Sequence, residues 1–138
     1  MITIQVDAFM CVAVPVSSRE IKENAWKIIS GLGMDQLSLD ILITDDLAMR
    51  ELNRQFLGMQ GPTNVLSFPG QEDDESLSPG QLVINVDAIR RESILYGQKP
   101  YAHLARLMIH GILHLAGFDH GRVMDDAAQG VMQEITNE

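Results

Sequence analysis

Twice in its first half the chain switches its hydrophobic period from two to 3.6, the pattern of a strand followed by a helix. Ile2, Ile4 and Val6 alternate with Thr3, Gln5 and Asp7, which predicts a strand ending before Pro15. Ser17 with Glu20 three residues on forms a capping box, and Ile21, Ala25, Ile28 and Ile29 recur at helical spacing until Gly31 and Gly33. The pattern then repeats. Leu37 to Thr44 alternates, and Asp45 or Asp46 can cap a second helix carrying Leu47, Met49, Leu52 and Phe56 before Gly58. Thr63 to Phe68, bounded by Pro62 and Pro69, and Leu82 to Val86 read as two further strands, separated by an acidic, solvated loop at Gln71 to Gly80. Asp87 can cap a short third helix to about Tyr96, broken by Gly97 to Pro100. A largely buried helix follows from Tyr101, with Leu104, Leu107, Met108, Ile112 and Leu115 before Gly117, and Val123 to Ile135 is a last amphipathic one. The expectation is an α+β fold spanning 1–138 as one domain, with about four strands in a mixed sheet and about five helices.

Composition limits what such a fold can do. With 138 residues, 46% of them hydrophobic, the chain can bury one substantial core and has no room for a second full domain. Lys and Arg number 10 against 19 Asp and Glu, a net charge of −9 that excludes a broad basic surface for nucleic acid. Any contact with RNA or DNA must be local. The single cysteine, Cys11, rules out an internal disulfide and a thiolate-based zinc site and reads as a small buried hydrophobe. The longest apolar run, Phe9 to Val16, is far short of the roughly 18 residues of a membrane span, and no Lys or Arg precedes it. A cytoplasmic protein with no membrane partner is expected.

Three of the four histidines fall in one segment, as His110-Gly-Ile-Leu-His114-Leu-Ala-Gly117-Phe-Asp119-His120. Residues four apart on a helix lie roughly 40° apart around the axis, so His110 and His114 share a face and their imidazoles can meet one ion. Gly117 can adopt a left-handed conformation that turns the chain back and brings His120 over the same face as a third ligand. Three imidazoles suit zinc, nickel, copper or iron, with a fourth position open to water. One transition-metal ion per chain is expected, zinc first and nickel second. His103, two turns before His110, reads instead as an ordinary core or surface histidine.

The frame HxxxHxxGxxH is shared with metzincin proteases, in which Glu follows the first histidine as the general base. Here that position is Gly111, which disfavours peptide hydrolysis by that route and leaves metal-assisted hydrolysis of other bonds available. Asp119 is the nearest carboxylate in sequence. It can support a ligand imidazole, act as a catalytic base or serve as a turn residue.

The run HGILHLAGFDH, residues 110–120, resembles the signature HGxLHLxGYDH of the bacterial YbeY family, metal-dependent endoribonucleases implicated in ribosomal RNA maturation. A second block, Leu52-Asn53 followed by Pro62-Thr-Asn-Val-Leu-Ser-Phe-Pro69, is similar to that family's LN...PT(D/N)VLSFP segment. The resemblance implies an α+β domain with a four-stranded sheet, a zinc or similar ion on His110, His114 and His120, and single-stranded RNA, ribosomal RNA in particular, as substrate, with ribosomal proteins as possible partners. Three positions depart from it. Leu57 follows Phe56 where the family has an arginine after an aromatic residue, Gln81 replaces an acidic residue, and Phe118 stands for a tyrosine. Arg106, one turn before His110, and Arg122, two residues after His120, could supply positive charge to a phosphate, while Asn64 and Ser67, with Thr63, could hydrogen-bond a backbone or ribose hydroxyl. Two other readings compete: a metal-stabilised, non-catalytic ribosome-assembly or RNA-binding factor, and a zinc peptidase or other hydrolase.

Overall fold

The computed structural model describes residues 3–8, 17–33, 38–57, 64–70, 80–117 and 121–136. Four strands, β1 (Thr3–Ala8), β2 (Ser38–Thr44), β3 (Val65–Phe68) and β4 (Gly80–Asn85), form one sheet in the order β1-β2-β4-β3. β1, β2 and β4 run parallel, and β3 pairs antiparallel with β4 at the edge, Ser67 opposite Leu82 and Val65 opposite Ile84. Among the described residues five α-helices accompany it: α1 (Ser18–Gly31), α2 (Asp46–Leu52), α3 (Val86–Tyr96), α4 (Pro100–Leu115) and α5 (Arg122–Thr136). The expected α+β class, the mixed sheet and the number of elements are all present. Cys11 and the acidic stretch 71–79 lie outside the described residues.

Alternation along the strands gives the sheet two unlike faces. Leu39, Ile41, Leu82 and Ile84 point to one side, where α1 and α4 bury Ile28, Ile29, Met108, Ile109 and Ile112 against them in the main core. Met49 and Leu52 of α2 cover the other side over Leu66, Val83 and Phe68 in a smaller cluster. Each large aliphatic side chain fully buried this way contributes roughly 1.5 to 3 kcal/mol. α4 is the central helix. Its pattern leaves little polar surface before the histidines, with Leu104, Leu107, Met108, Ile112 and Leu113 all buried.

Capping follows the chain's polar residues with one correction. The Ser17 hydroxyl accepts from the Glu20 amide at 3.1 Å and starts α1, and Asp45 accepts from the Ala48 amide at 3.0 Å and starts α2. Asp87 does not cap α3. Asn85 does, its side-chain oxygen accepting from the amides of Asp87 and Ala88, because β4 ends there in extended backbone (φ −91°, ψ 108°) and the helix begins at once. The second helix also ends earlier than its apolar pattern suggests. After Leu52 the backbone widens into a π-helical turn, Asn53–Leu57, which carries the Phe56 ring round to meet Phe68 edge-on at 5.5 Å between centroids.

Candidate metal centre

Position 111 seats α4 on the sheet. Gly111 is buried, and a Cβ built there would stand 2.1 Å from Leu82 Cδ1 and 3.2 Å from Ser67 Oγ. Only hydrogen lets the helix backbone come this close to β3 and β4. The Ser67 hydroxyl completes the contact by donating to the Gly111 carbonyl at 3.0 Å. With that edge of α4 fixed to the sheet, His110 and His114 lie one helical turn apart on the same helix, and both are half-buried. Leu115 packs against Gly80 at the start of β4, so the histidine end of α4 lies over the end of the sheet where β3 finishes and β4 begins.

The helix ends as expected at Gly117, whose φ of +92° is the left-handed conformation that releases the chain. Phe118, Asp119 and His120 lie outside the described residues, so the third expected ligand and the expected carboxylate are not placed. Among the described residues no three His, Cys, Asp or Glu side chains group as a metal site. His110 and His114 nonetheless suit a metal. They are nitrogen donors at i and i+4 near the C-terminus of α4, and His114 lies in the last turn, where the negative pole of the helix dipole favours a cation.

Arg106 and His110 line a common groove between α4 and α5, together with Asp125 and Gln129 of α5. One guanidinium N–H of Arg106 donates to Gln98 Oε1. Arg122 is exposed at the start of α5. Ser67 sits beneath α4 at Gly111, beside His110 in sequence, with its hydroxyl bound to that carbonyl. Asn64 is not brought to this place. At the opposite end of β3, its side chain donates to the Glu92 carboxylate at 3.0 and 3.3 Å, and its carbonyl accepts from the Asn85 amide at 2.9 Å. The backbone of Leu57 closes the π-helical turn, and its side chain is outside the described residues.

The end of the sheet that holds Asn64, away from the histidine pair, carries two polar groupings whose pairings the sequence does not show. His103 is a core residue, 4% exposed, paired through Nε2 with Glu92 Oε1 at 2.9 Å and touching the Tyr96 ring edge-on. This is the ordinary role expected for it. Asp46 binds Arg91 through two hydrogen bonds of 2.5 and 3.0 Å and accepts from the Asn85 side chain at 2.8 Å, while its amide donates to Asp87 at 3.0 Å. The Arg91 hydrogen bond holds the Asp46 carboxyl below its ordinary range, with Asn85 adding to it and partial burial opposing it. No local sequence pattern signals this grouping, since Asp46 lies 39 residues from Asn85 and 45 from Arg91.

Residues 13–138 match the family described as Endoribonuclease YbeY. A curated relative of that name from Oleidesulfovibrio alaskensis is 39% identical over 145 residues, covering 88% of this chain and 85% of that protein. The Endoribonuclease YbeY of Geobacter sulfurreducens is 38% identical over 112 residues, covering 78% of this chain and 75% of its own. The fold matches a solution structure of a Thermotoga maritima protein with a TM-score of 0.69 at 23% identity, over 99% of this chain and 90% of that one.

Proposed function

The chain belongs to the YbeY family of endoribonucleases, and from that premise we propose that it is a metal-dependent hydrolase that cuts phosphodiester bonds in single-stranded RNA during ribosomal RNA maturation. The observation that carries the reading is the seating of α4 at Gly111, which sets His110 and His114 one turn apart near the C-terminus of the helix, His114 in its last turn. His120 is the third ligand in this reading, and the ion is zinc, with nickel the next choice. When bound it supplies Lewis acidity toward a phosphoryl oxygen and a more acidic water. Arg122, at the start of α5, holds the phosphate, and Arg106, in the groove with His110, binds the substrate beside it. Asp119 orients a ligand imidazole or takes the proton of the attacking group. Ser67 acts chiefly by fixing the Gly111 carbonyl, and thereby the histidine pair, whereas Asn64 reaches RNA only by exchanging its Glu92 partner.

The peptidase reading meets a steric obstacle. Leu82 and Ser67 fill the space beside position 111, so a glutamate base there would enter the core and not the histidine groove. Ribosomal RNA as the substrate, ribosomal proteins as partners and a cytoplasmic site of action complete the proposal; no helix among the described residues is long and apolar enough to cross a membrane. The test is elemental analysis with paired cleavage assays on labelled RNA and casein. Wild type should carry about one ion per chain and cut RNA in a chelator-sensitive way, and His114→Ala should lose both properties. Equal metal in the two proteins, or chelator-sensitive proteolysis with intact RNA, would overturn it.

A further inference from the structure

The groove between α4 and α5 has a volume of about 250 Å³ and an arrangement of surfaces that the metal chemistry does not use. Ile109, buried, forms its floor with the half-buried Ala128 and Met132. Asp125 and Gln129, both exposed on α5, stand at the rim with Arg106 of α4. From this we infer that the groove is a pocket for one base of the RNA strand, and that guanine is the base it fits. The inference rests on the nuclease reading above and names the part of the substrate that this flank of the site selects.

Size and charge identify the occupant. An apolar cavity of about 150 Å³ already holds a benzene-sized ring, so this larger and open groove admits a purine lying on the apolar floor with its polar edge at the rim. A methionine and small aliphatic groups make a surface on which a flat ring packs well. A phosphate is a poor occupant. The Asp125 carboxylate repels it, and the chain as a whole carries a charge of −9. A base is neutral and its edge can answer the rim. A carboxylate only accepts hydrogen bonds, and two adjacent donors satisfy both its oxygens. Guanine presents such a pair in N1–H and the 2-amino group, and its O6 and N7 accept from a guanidinium or amide such as Arg106 or Gln129. Uracil offers one donor, and cytosine and adenine lack the paired donors beside an accepting carbonyl. His110 shares the groove, so a base held there sits next to the metal-binding helix face and fixes which phosphodiester of the strand is presented.

The four ribonucleosides, which carry no phosphate and so bind independently of cleavage, are titrated into the whole protein while the methyl NMR signals of Ile109, Ala128 and Met132 are followed. In parallel, cleavage positions are mapped on an unstructured RNA containing all four bases. Guanosine should shift the three methyls with an affinity about tenfold above the other nucleosides, the lower range for a two-bond base contact. Asp125→Ala should remove that preference, and Ala128→Phe, which fills the groove, should abolish the methyl shifts. Both should flatten the dependence of cleavage position on guanosine. Silent methyls with wild-type cleavage that ignores guanosine would overturn the pocket and leave the nuclease reading standing. Selective methyl shifts with no RNA cut would sustain the pocket and overturn the nuclease. An unchanged guanosine preference in Asp125→Ala would refute the assignment of that carboxylate.

Discussion

Gly111→Ala places one methyl group where α4 meets the sheet. The new carbon would stand 2.1 Å from Leu82 Cδ1 and 3.3 Å from Leu82 Cγ, and Leu82 is itself fully buried, so its side chain cannot swing aside into solvent. Overpacking of a tight core costs about 1 to 3 kcal/mol, and loss of the Ser67 bond to the Gly111 carbonyl adds about 1 kcal/mol. Against this, alanine in a helix interior gains about 1 kcal/mol over glycine. The net loss should be about 1 to 3 kcal/mol. Gly130→Ala is the control, since Gly130 lies on the exposed face of α5 and a Cβ there meets nothing within 4 Å. That variant should gain about 0.5 to 1 kcal/mol. The same chemical change therefore has opposite signs at two helical glycines. Urea unfolding should show the two midpoints displaced in opposite directions with unchanged slope. Leu82→Ala removes the clashing methyls, so Gly111→Ala/Leu82→Ala should be less destabilised than the sum of its parts by about 1 kcal/mol. A Gly111→Ala protein as stable as Gly130→Ala, or a strictly additive double variant, would refute the seating argument.

Two further outcomes follow from the charge layout and the family departure. Asp46, held below the ordinary carboxylate range chiefly by Arg91, binds a proton less readily when folded than when unfolded, so its stabilisation is present above a pH of about 3.9 and is lost as pH falls through the folded-state value. Arg91 is 52% exposed, so solvent screening limits the effect to less than about 1 kcal/mol; Asp46→Asn should lower stability by that amount at pH 7 and give a shallower acid limb, and an acid limb identical to wild type would contradict the assignment. Leu57→Arg should raise single-turnover RNA cleavage about ten- to a hundredfold at equal metal loading, the value of one charge-assisted hydrogen bond made in the transition state. No gain in Leu57→Arg, with activity lost in Arg106→Ala or Arg122→Ala, would show instead that those arginines already supply the charge.

Local signals carried most of the fold and placed the candidate histidine pair on one helix. Period two and period 3.6 are set by residues near one another in sequence, so β2 with Leu39, Ile41 and Ile43 and α1 with Ile21, Ala25, Ile28 and Ile29 were readable before any packing was known. The His110 and His114 pair was readable for the same reason, since one helical turn fixes their common face. Pairing across distance was not. Arg91 and Asp46 are 45 residues apart, and Asn64 and Glu92 are 28 apart. Nothing in either local pattern marks them as partners, and the sheet order brings them together. The misassigned cap belongs to this class, because Asp87 is a good capping residue in isolation and is displaced only because β4 runs without a loop into α3.

Gly111 joins the local and the distant arguments. As a sequence letter it records the absence of the carboxylate that a metzincin needs, and on that ground it removes one kind of chemistry. In the structure it is a packing residue first: the space a longer side chain would need is occupied by Leu82 and Ser67, which belong to the strands that α4 must lie against. A base at this position and this close helix-to-sheet contact are therefore mutually exclusive. A hydrolase built on these histidines must draw its proton acceptor from elsewhere around the ion, and the site then opens toward the α4–α5 side, where Arg106 and His110 already stand together. That flank is also where the largest change of substrate preference should come from single substitutions, because its rim residues Asp125 and Gln129 are exposed and carry no part of the core.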